Sequence, residues 1–302
     1  MRFGLCCLFT AEPVAFRTTT AKALSQLDLP ARLAKASAIC LHNARNLRLA
    51  VETCHRLGIG AFRISSPLFP RMTHPEVGYS LDDLPEAADI ARLLEQTRTY
   101  AAEHDIRLSF HPDQFVVLSS PHEHVVANSV RELTYHAFLA ERVGADVINI
   151  HAGGTYGDKE SALERLGRVF KTLPPAVACR LTLENDDVSY TVADLLPLCR
   201  SLGIGLVYDV HHHRCNPDGL SEAEATDLAR ATWGGREQYC HLSSPRDGWN
   251  GKPRPHADYI DPADFPSCWQ GQNMTIDVEA KAKELAVVQL MRDLGHDAGN
   301  RT

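Results

Sequence analysis

The sequence lacks the cysteine spacing of a disulfide framework or a zinc ribbon. Nine cysteines are present, an odd number, and no two of them form a C-x-x-C pair. Only Cys6 and Cys7 are neighbours, and the other seven are scattered along the chain. This distribution argues against a disulfide-stapled scaffold and predicts reduced thiols, most of them in the core of a cytoplasmic protein.

Long hydrophobic runs and repeated segments are also missing. The apolar start, Met1 to Phe9, is too short to span a bilayer and has no small-residue cleavage pattern. We therefore expect no membrane partner. Without an internal repeat or a low-complexity tract, the chain predicts one domain over residues 1–294, a polar C-terminal tail over 295–302, and a monomer.

Positive charge is not in excess. Lys and Arg number 31 against 38 Asp and Glu, which gives a formal net charge of −7. This balance argues against a broad basic surface that holds nucleic acid nonspecifically. A local basic surface remains open, because bound cations would make an acidic working face more positive than its side chains imply.

The chain does contain a regular alternation of short apolar runs and helical stretches. With 302 residues and 44% hydrophobic content it can bury one large core, and a (β/α)₈ TIM barrel needs about 250 residues. Eight βα units of this kind predict such a barrel, an α/β fold. The predicted strands are Arg2–Cys7, Ala61–Ser65, Arg107–Phe110, Val147–His151, Arg180–Glu184, Gly205–Val210, Gln238–Leu242 and Thr275–Glu279. The predicted helices are Ala31–Leu57, Asp82–His104, Asn128–Val143, Lys159–Leu173, Val192–Leu202, Glu222–Trp233 and Ala282–Leu294.

Histidine is unusually frequent, with 15 residues, many of them at the ends of predicted strands. The carboxyl ends of all barrel strands meet at one rim, so side chains far apart in sequence converge there. Seven metal-ligand types stand at these ends, and His74 and His256 in loops could complete the set. The nine candidates are His74, His111, His151, Glu184, Asp209, His212, His241, His256 and Glu279.

A single strand-end histidine is usually only a hydrogen-bonded rim residue, but the collection favours a metal site. Carboxylates that converge near a barrel axis repel each other unless divalent cations neutralise them. Nine ligands exceed the four that one zinc ion needs, so we expect two or three divalent ions with bridging carboxylates. Imidazole and carboxylate ligands without thiolate favour Mn²⁺, with Zn²⁺, Fe²⁺ or Mg²⁺ as alternatives. Such clusters polarise a phosphate and activate water for phosphodiester hydrolysis.

Several tracts in this order and spacing resemble the UV damage endonucleases, relatives of the endonuclease IV and xylose isomerase barrels. The resemblance extends from Arg2 to about Glu284. The tracts are His111-Pro112-Asp113-Gln114-Phe115, the stretch from His151 to Lys159, Leu183-Glu184-Asn185-Asp186, Asp209-Val210-His211-His212 with Asn216-Pro217, His241-Leu242-Ser243-Ser244, and Glu279-Ala280-Lys281.

The resemblance implies a nuclease that cuts double-stranded DNA 5′ of UV photoproducts, and some relatives also act at abasic sites. It implies that the nine candidates above hold the metals, and that a polar-aromatic pair, here Gln114 and Phe115, acts as a wedge. We accordingly predict the following roles. The catalytic residues would be Glu184, Glu279, His241 and His111, and the DNA contacts Gln114, Phe115, Tyr156, Lys159 and Lys281.

Two neighbouring features remain open on the sequence alone. Lys159 and the Gly153-Gly154 turn could bring an ammonium and backbone amides to a phosphate, or the glycines could serve only a tight turn. His211 and His213 flank a predicted ligand, and alternation along a strand would turn them away from it into packing positions.

Three positions depart from the family pattern. Phe115 stands where relatives often have tyrosine, which keeps the stacking face and loses a hydroxyl. Leu5 replaces a tyrosine near the lesion pocket and so alters its polarity. Tyr239 replaces a lysine near the cluster, so that either the third metal is held differently or the activity has diverged. The alternatives are therefore an abasic-site endonuclease or other phosphoesterase, a xylose-isomerase-like enzyme or iron oxygenase acting on a small molecule, and a non-catalytic metal-binding protein.

Overall fold

Eight parallel strands form a closed barrel in a computed structural model that describes residues 1–296. The strands lie around the barrel in sequence order, and β8 closes it by pairing with both β7 and β1. This confirms the predicted TIM barrel. The strands are β1 Arg2–Cys6, β2 Ala61–Ile64, β3 Arg107–Phe110, β4 Val147–His151, β5 Leu181–Glu184, β6 Leu206–Asp209, β7 Gln238–Leu242 and β8 Met274–Val278.

Helices connect the strands on the outside of the barrel. Local signals set their ends: α7 begins with a capping box in which Thr191 and Asp194 bond to each other's backbone, and it ends at Gly203 with φ of 67°. The helices are α1 Ala21–Ser25, α2 Leu29–Arg56, α3 Ala87–Glu103, α4 Glu123–Val143, α5 Lys159–Phe170, α6 Pro175–Ala178, α7 Val192–Leu202, α8 Val210–Cys215, α9 Glu222–Arg230 and α10 Glu284–Asp293. Four 3₁₀ turns span Leu81–Asp83, Ala231–Trp233, Pro262–Asp264 and Ser267–Trp269.

Most predicted boundaries differ from the observed ones by a few residues. The predicted helix Asp82–His104 is wrong at its start, because Leu81–Asp83 forms a separate 3₁₀ turn and α3 begins only at Ala87. Pro85 stands between the two, and a proline ring disfavours helical geometry in the residue before it. In the other direction, the helix predicted from Asn128 begins five residues earlier, at Glu123.

The interior of the barrel is polar directly beneath its upper rim. Ser109, Asn149, Thr182 and Asp277 are all buried and each stands two residues before a predicted ligand. Since alternate residues of a strand point to the same face, each of these four side chains points into the barrel below the predicted ligand that follows it, and together they are called the polar layer. Thr182 donates to Asn149 at 3.0 Å, so neighbouring strands are linked within this layer.

Gly4 makes room for this layer. A Cβ atom at that position would lie 2.2 Å from Oδ1 of Asp277, closer than two heavy atoms can approach without a bond. Asp277 itself is completely buried. The absence of a side chain at residue 4 therefore allows a carboxylate from β8 to occupy the barrel interior beside β1.

Two further predictions concern the ends of the chain and membranes. Gly295 and His296 are described, whereas the rest of the predicted tail 295–302 lies outside the described residues, so the division at residue 294 stays a prediction. Among residues 1–296, no helix is both long enough and apolar enough to cross a bilayer.

Candidate metal centre

The carboxyl ends of five strands bring the central candidates together. Two clusters have potential ligand atoms that all lie within 4.8 Å of one another, and both contain Glu184. The first is His111, His151 and Glu184, and the second is Glu184, Asp209 and His212. Either group could hold a metal ion, and Glu184 would contribute a carboxylate oxygen to each.

Glu184 is the centre of the arrangement and is only 1% exposed. Its Oε2 lies 3.0 Å from Nε2 of His111. Its Oε1 lies 3.1 Å from Nδ1 of His241 and 3.2 Å from Nδ1 of His212. From below, Asn149 donates a hydrogen bond to Oε2, which fixes the carboxylate from the polar layer. The sequence prediction that these strand ends converge is borne out by these distances.

The imidazoles and carboxylates of the centre change one another's pKa values. Burial by itself would raise the pKa of Glu184, but His241, His151, His111 and His212 hold it well below its usual range. Conversely, burial would lower the pKa of His212, but Asp209 and Glu184 hold it well above its usual range. The Glu184 carboxylate therefore stays ionised and requires nearby positive charge, whether from protons on imidazoles or from metal ions.

Among the nine predicted ligands, three buried atoms make no well-aligned hydrogen bond within residues 1–296: Nδ1 of His151, Oδ2 of Asp209 and Nδ1 of His241, the last although it lies 3.1 Å from Oε1 of Glu184. A buried polar atom without a partner is costly. All three belong to residues that surround Glu184, and imidazole nitrogens and carboxylate oxygens together suit Mn²⁺, Zn²⁺ or Fe²⁺. The residues present thus fit divalent cations.

Glu279 and His256 extend the centre on the side of β7 and β8. Oε1 of Glu279 lies 3.6 Å from Nδ1 of His241, and Oε2 lies 3.7 Å from Nδ1 of His256. His256 belongs to the long loop after β7 and reaches the rim because its backbone forms an isolated antiparallel bridge with Pro245. These two residues therefore adjoin the cluster around Glu184.

His74 is placed differently from the other eight candidates. Its Nδ1 accepts the backbone N–H of Glu76 at 3.2 Å, and within residues 1–296 no carboxylate oxygen lies within 4.0 Å of its ring nitrogens. The ring lines a groove of about 880 Å³ between the loop after β2 and α4, together with Phe115 and Glu132. Its ligand role stays a prediction.

His211 and His213 pack as expected, but for a different reason. They lie on the short helix α8 rather than on a strand, so about 100° of rotation separates each from His212. His213 is bonded to Tyr208 Oη at 2.6 Å and to Asp218 at 3.1 Å. Both are buried, with His211 Nδ1 3.2 Å from the carbonyl of Ser243.

The predicted wedge stands on a hydrogen-bonded turn after β3. Phe115 is 77% exposed, which is unusual for so large an apolar side chain. Its backbone N–H donates to the Asp113 carboxylate at 3.0 Å, and the next residue, Val116, is buried and anchors the turn. The turn therefore presents Gln114 and Phe115 to solvent.

The other predicted DNA-contacting residues differ in how freely their side chains could reach a bound DNA. Tyr156 is 46% exposed with φ of 52°, and Lys281 is exposed near the rim. Lys159, however, is already paired with Asp194 at 2.7 Å. Its ammonium therefore joins the start of α5 to the start of α7, so a phosphate would have to compete with this ion pair.

Two of the departures from the family pattern lie inside the protein. Leu5 is completely buried in the hydrophobic core, so it lines no open pocket, and the expected change in pocket polarity does not follow. Tyr239 is buried below the centre, where its hydroxyl donates to Asp277 at 3.0 Å and lies 3.0 Å from Ser109 Oγ. It is hydrogen-bonded to the polar layer rather than to the ligands.

Comparison with known proteins places this geometry in a family. The family model described as UV-endonuclease UvdE matches residues 1–300. The chain belongs to this UV-endonuclease family. A UV DNA damage endonuclease of Bacillus velezensis is 35% identical over 97% of this chain and 93% of its own length. The UV-damage endonuclease of Schizosaccharomyces pombe is 37% identical over 83% of this chain and 43% of its own.

Solved structures agree with that assignment. The crystal structure of SacUVDE superimposes with a TM-score of 0.86 at 30% identity, over 98% of both chains. Endonuclease IV from Thermus thermophilus superimposes with a TM-score of 0.62 at 17% identity, again over 98% of both chains. The similarity to SacUVDE supports the family assignment at the level of structure. The similarity to endonuclease IV shows a shared barrel fold alone.

Proposed function

We propose that this protein is a metal-dependent endonuclease that hydrolyses the phosphodiester 5′ of UV photoproducts in double-stranded DNA. The observation that carries the proposal is Glu184, a buried carboxylate shared by two potential ligand groups at the rim of a UV-endonuclease-family barrel. The relatives are named for UV damage. We further propose a cytoplasmic monomer with one domain over residues 1–294.

The nine predicted ligands would hold two or three divalent ions, Mn²⁺ first among them. When bound, such ions lower the pKa of a coordinated water and neutralise charge that develops on the phosphate. The chain's own contribution is to fix the ligands: Asn149 holds Glu184 from below, and Asp209 accepts the backbone N–H of His212 at 2.7 Å. In this proposal Glu184, Glu279, His241 and His111 are the catalytic residues.

Gln114 and Phe115 would recognise the lesion. An intact helix hides its bases, and a photoproduct lowers the cost of unstacking because it already disturbs the stack. An exposed aromatic side chain that lines the same groove as His74 can occupy the space that the damaged nucleotides vacate. Tyr156, Lys159 and Lys281 would contact the backbone around the cut.

The function is tested with supercoiled plasmid that is intact, UV-irradiated or depurinated, incubated with the protein and Mn²⁺. We expect nicking only of the irradiated plasmid. Nicking of depurinated plasmid alone would assign an abasic-site endonuclease instead. An absence of nicking by protein that contains tightly bound iron would contradict the proposal and indicate redox chemistry or storage.

The variant Phe115→Ala should nick irradiated plasmid about 10- to 100-fold more slowly, because stacking of one base on an aromatic ring contributes about 1–3 kcal/mol. Hydrolysis of a small phosphodiester such as bis(p-nitrophenyl) phosphate should be unchanged, since that substrate has no stack to open. Leu49→Ala removes another exposed apolar side chain, on α2, and serves as the control. A Phe115→Ala variant with parental activity on irradiated plasmid would rule out the wedge.

A further inference from the structure

Arg63 is a buried cation that contacts the metal centre from inside the barrel. Its side chain, on β2, is only 10% exposed. Nη1 lies 2.7 Å from Oε1 of Glu279, and Nη2 lies 3.0 Å from Nε2 of His241. One guanidinium thus contacts two predicted ligands, although no metal-ligand chemistry is open to arginine itself.

Asp277 fixes the guanidinium from below. Its Oδ2 accepts a hydrogen bond from Nε of Arg63 at 2.8 Å, and its Oδ1 accepts one from the Tyr239 hydroxyl at 3.0 Å. Because β1 separates β2 from β8, the pair crosses the barrel interior at Gly4, the position where a Cβ atom would collide with Asp277. The planar fork of Arg63 is therefore held in one orientation.

The two carboxylate oxygens of Glu279 have different partners. Oε1 is engaged by Arg63, whereas Oε2 is directed toward His256. We propose that Arg63 is a positioning residue of the metal centre, which holds Oε1 of Glu279 so that Oε2 remains available as a ligand. The proposal rests on the metal-dependent function proposed above, and it assigns to Arg63 the fixed positive charge that Tyr239 cannot supply.

A simpler role must be distinguished from this one. Arg63 could serve only to neutralise Asp277, which is completely buried and would be costly without a partner. In that case, removing both charges together would restore the centre. If Arg63 positions Glu279, removing both charges would leave Glu279 unsupported.

The experiment measures Mn²⁺ binding to the metal-stripped full chain by isothermal titration calorimetry. We expect Arg63→Met and the double variant Arg63→Met/Asp277→Asn both to bind Mn²⁺ about 10- to 100-fold more weakly than the parent at one site, the usual effect of losing a partner of a metal ligand. Arg63→Lys keeps the charge but offers one ammonium instead of a fork, so its affinity should fall by at least about tenfold. Parental affinity in either the double variant or Arg63→Lys would overturn the proposal.

Arg2→Met is the matched control. Arg2 is also a partly buried arginine, 18% exposed and paired with Glu237 at 2.7 Å, but it lies at the start of β1, at the opposite end of the barrel. It should lose thermal stability without loss of Mn²⁺ affinity, which separates general damage to the barrel from an effect on Glu279. Because the readout is metal binding, absence of nicking activity in the parent would contradict the proposed function and leave the comparison of affinities intact.

Discussion

Replacing Glu184 with glutamine should slow the nicking of irradiated DNA by about a thousandfold or more, a loss of about 4 kcal/mol of transition-state stabilisation. The carboxylate contacts three imidazoles within 3.2 Å and is shared by both potential ligand groups. A neutral amide of the same shape offers one oxygen and one N–H₂ donor, so it cannot serve two cations. Single-turnover nicking of irradiated plasmid measures the effect.

Glu237→Gln is the control for this substitution. Glu237 is a partly buried carboxylate just before β7, at the other end of the barrel, where it pairs with Arg2 at 2.7 Å. The same chemical change there should cost stability but retain nicking. Circular dichroism and melting temperature establish that both variants are folded. If folded Glu184→Gln nicks irradiated DNA as fast as the parent, the metal-centre hypothesis is wrong.

Removal of metal with a chelator should also reduce nicking by about a thousandfold or more, and Mn²⁺ should restore it. Metal that binds only the folded state, at a free concentration 100 times its dissociation constant, adds about 2.7 kcal/mol of stability, so the metal-free protein should melt about 5 °C lower.

Because the pKa of His212 is raised, protons compete with metal for this ligand. Mn²⁺ affinity should therefore fall as the pH is lowered.

Elemental analysis before and after chelation supplies the control for this experiment. Glu184→Gln provides a second comparison, since its melting temperature should rise less on addition of Mn²⁺ than that of the parent. Full nicking activity in protein shown to contain no divalent metal would contradict both the cluster and the catalytic roles assigned to it.

The convergence of the central ligands could be predicted from the sequence because strand order in a barrel determines which residues share a rim. The polar layer below them could also have been predicted from the sequence, although strand-end reasoning did not include it. Ser109, Asn149 and Thr182 each stand two residues before His111, His151 and Glu184, and a period of two places such pairs on one face. Polar residues inside otherwise apolar strands indicate such a layer.

Other features depend on contacts that no local pattern specifies. The ion pair of Lys159 with Asp194 joins two βα units, and the contact of Arg63 with Asp277 joins residues 214 positions apart. The position of His74 depends on the conformation of an irregular loop, in which backbone amides of Glu76 and Val77 are available to its ring. Periodicity and strand-end rules carry no information on such pairings.

The closed order of the strands also determines when the centre can exist. Its ligands come from successive βα units, and Glu279 enters only when β8 has paired with both of its neighbours. No segment of the chain contains a complete site, in contrast to metal-binding motifs that are contiguous in sequence. Metal binding through Glu279, as proposed, therefore depends on barrel closure, and metal bound there would stabilise the pairing of β8 with β1 and β7.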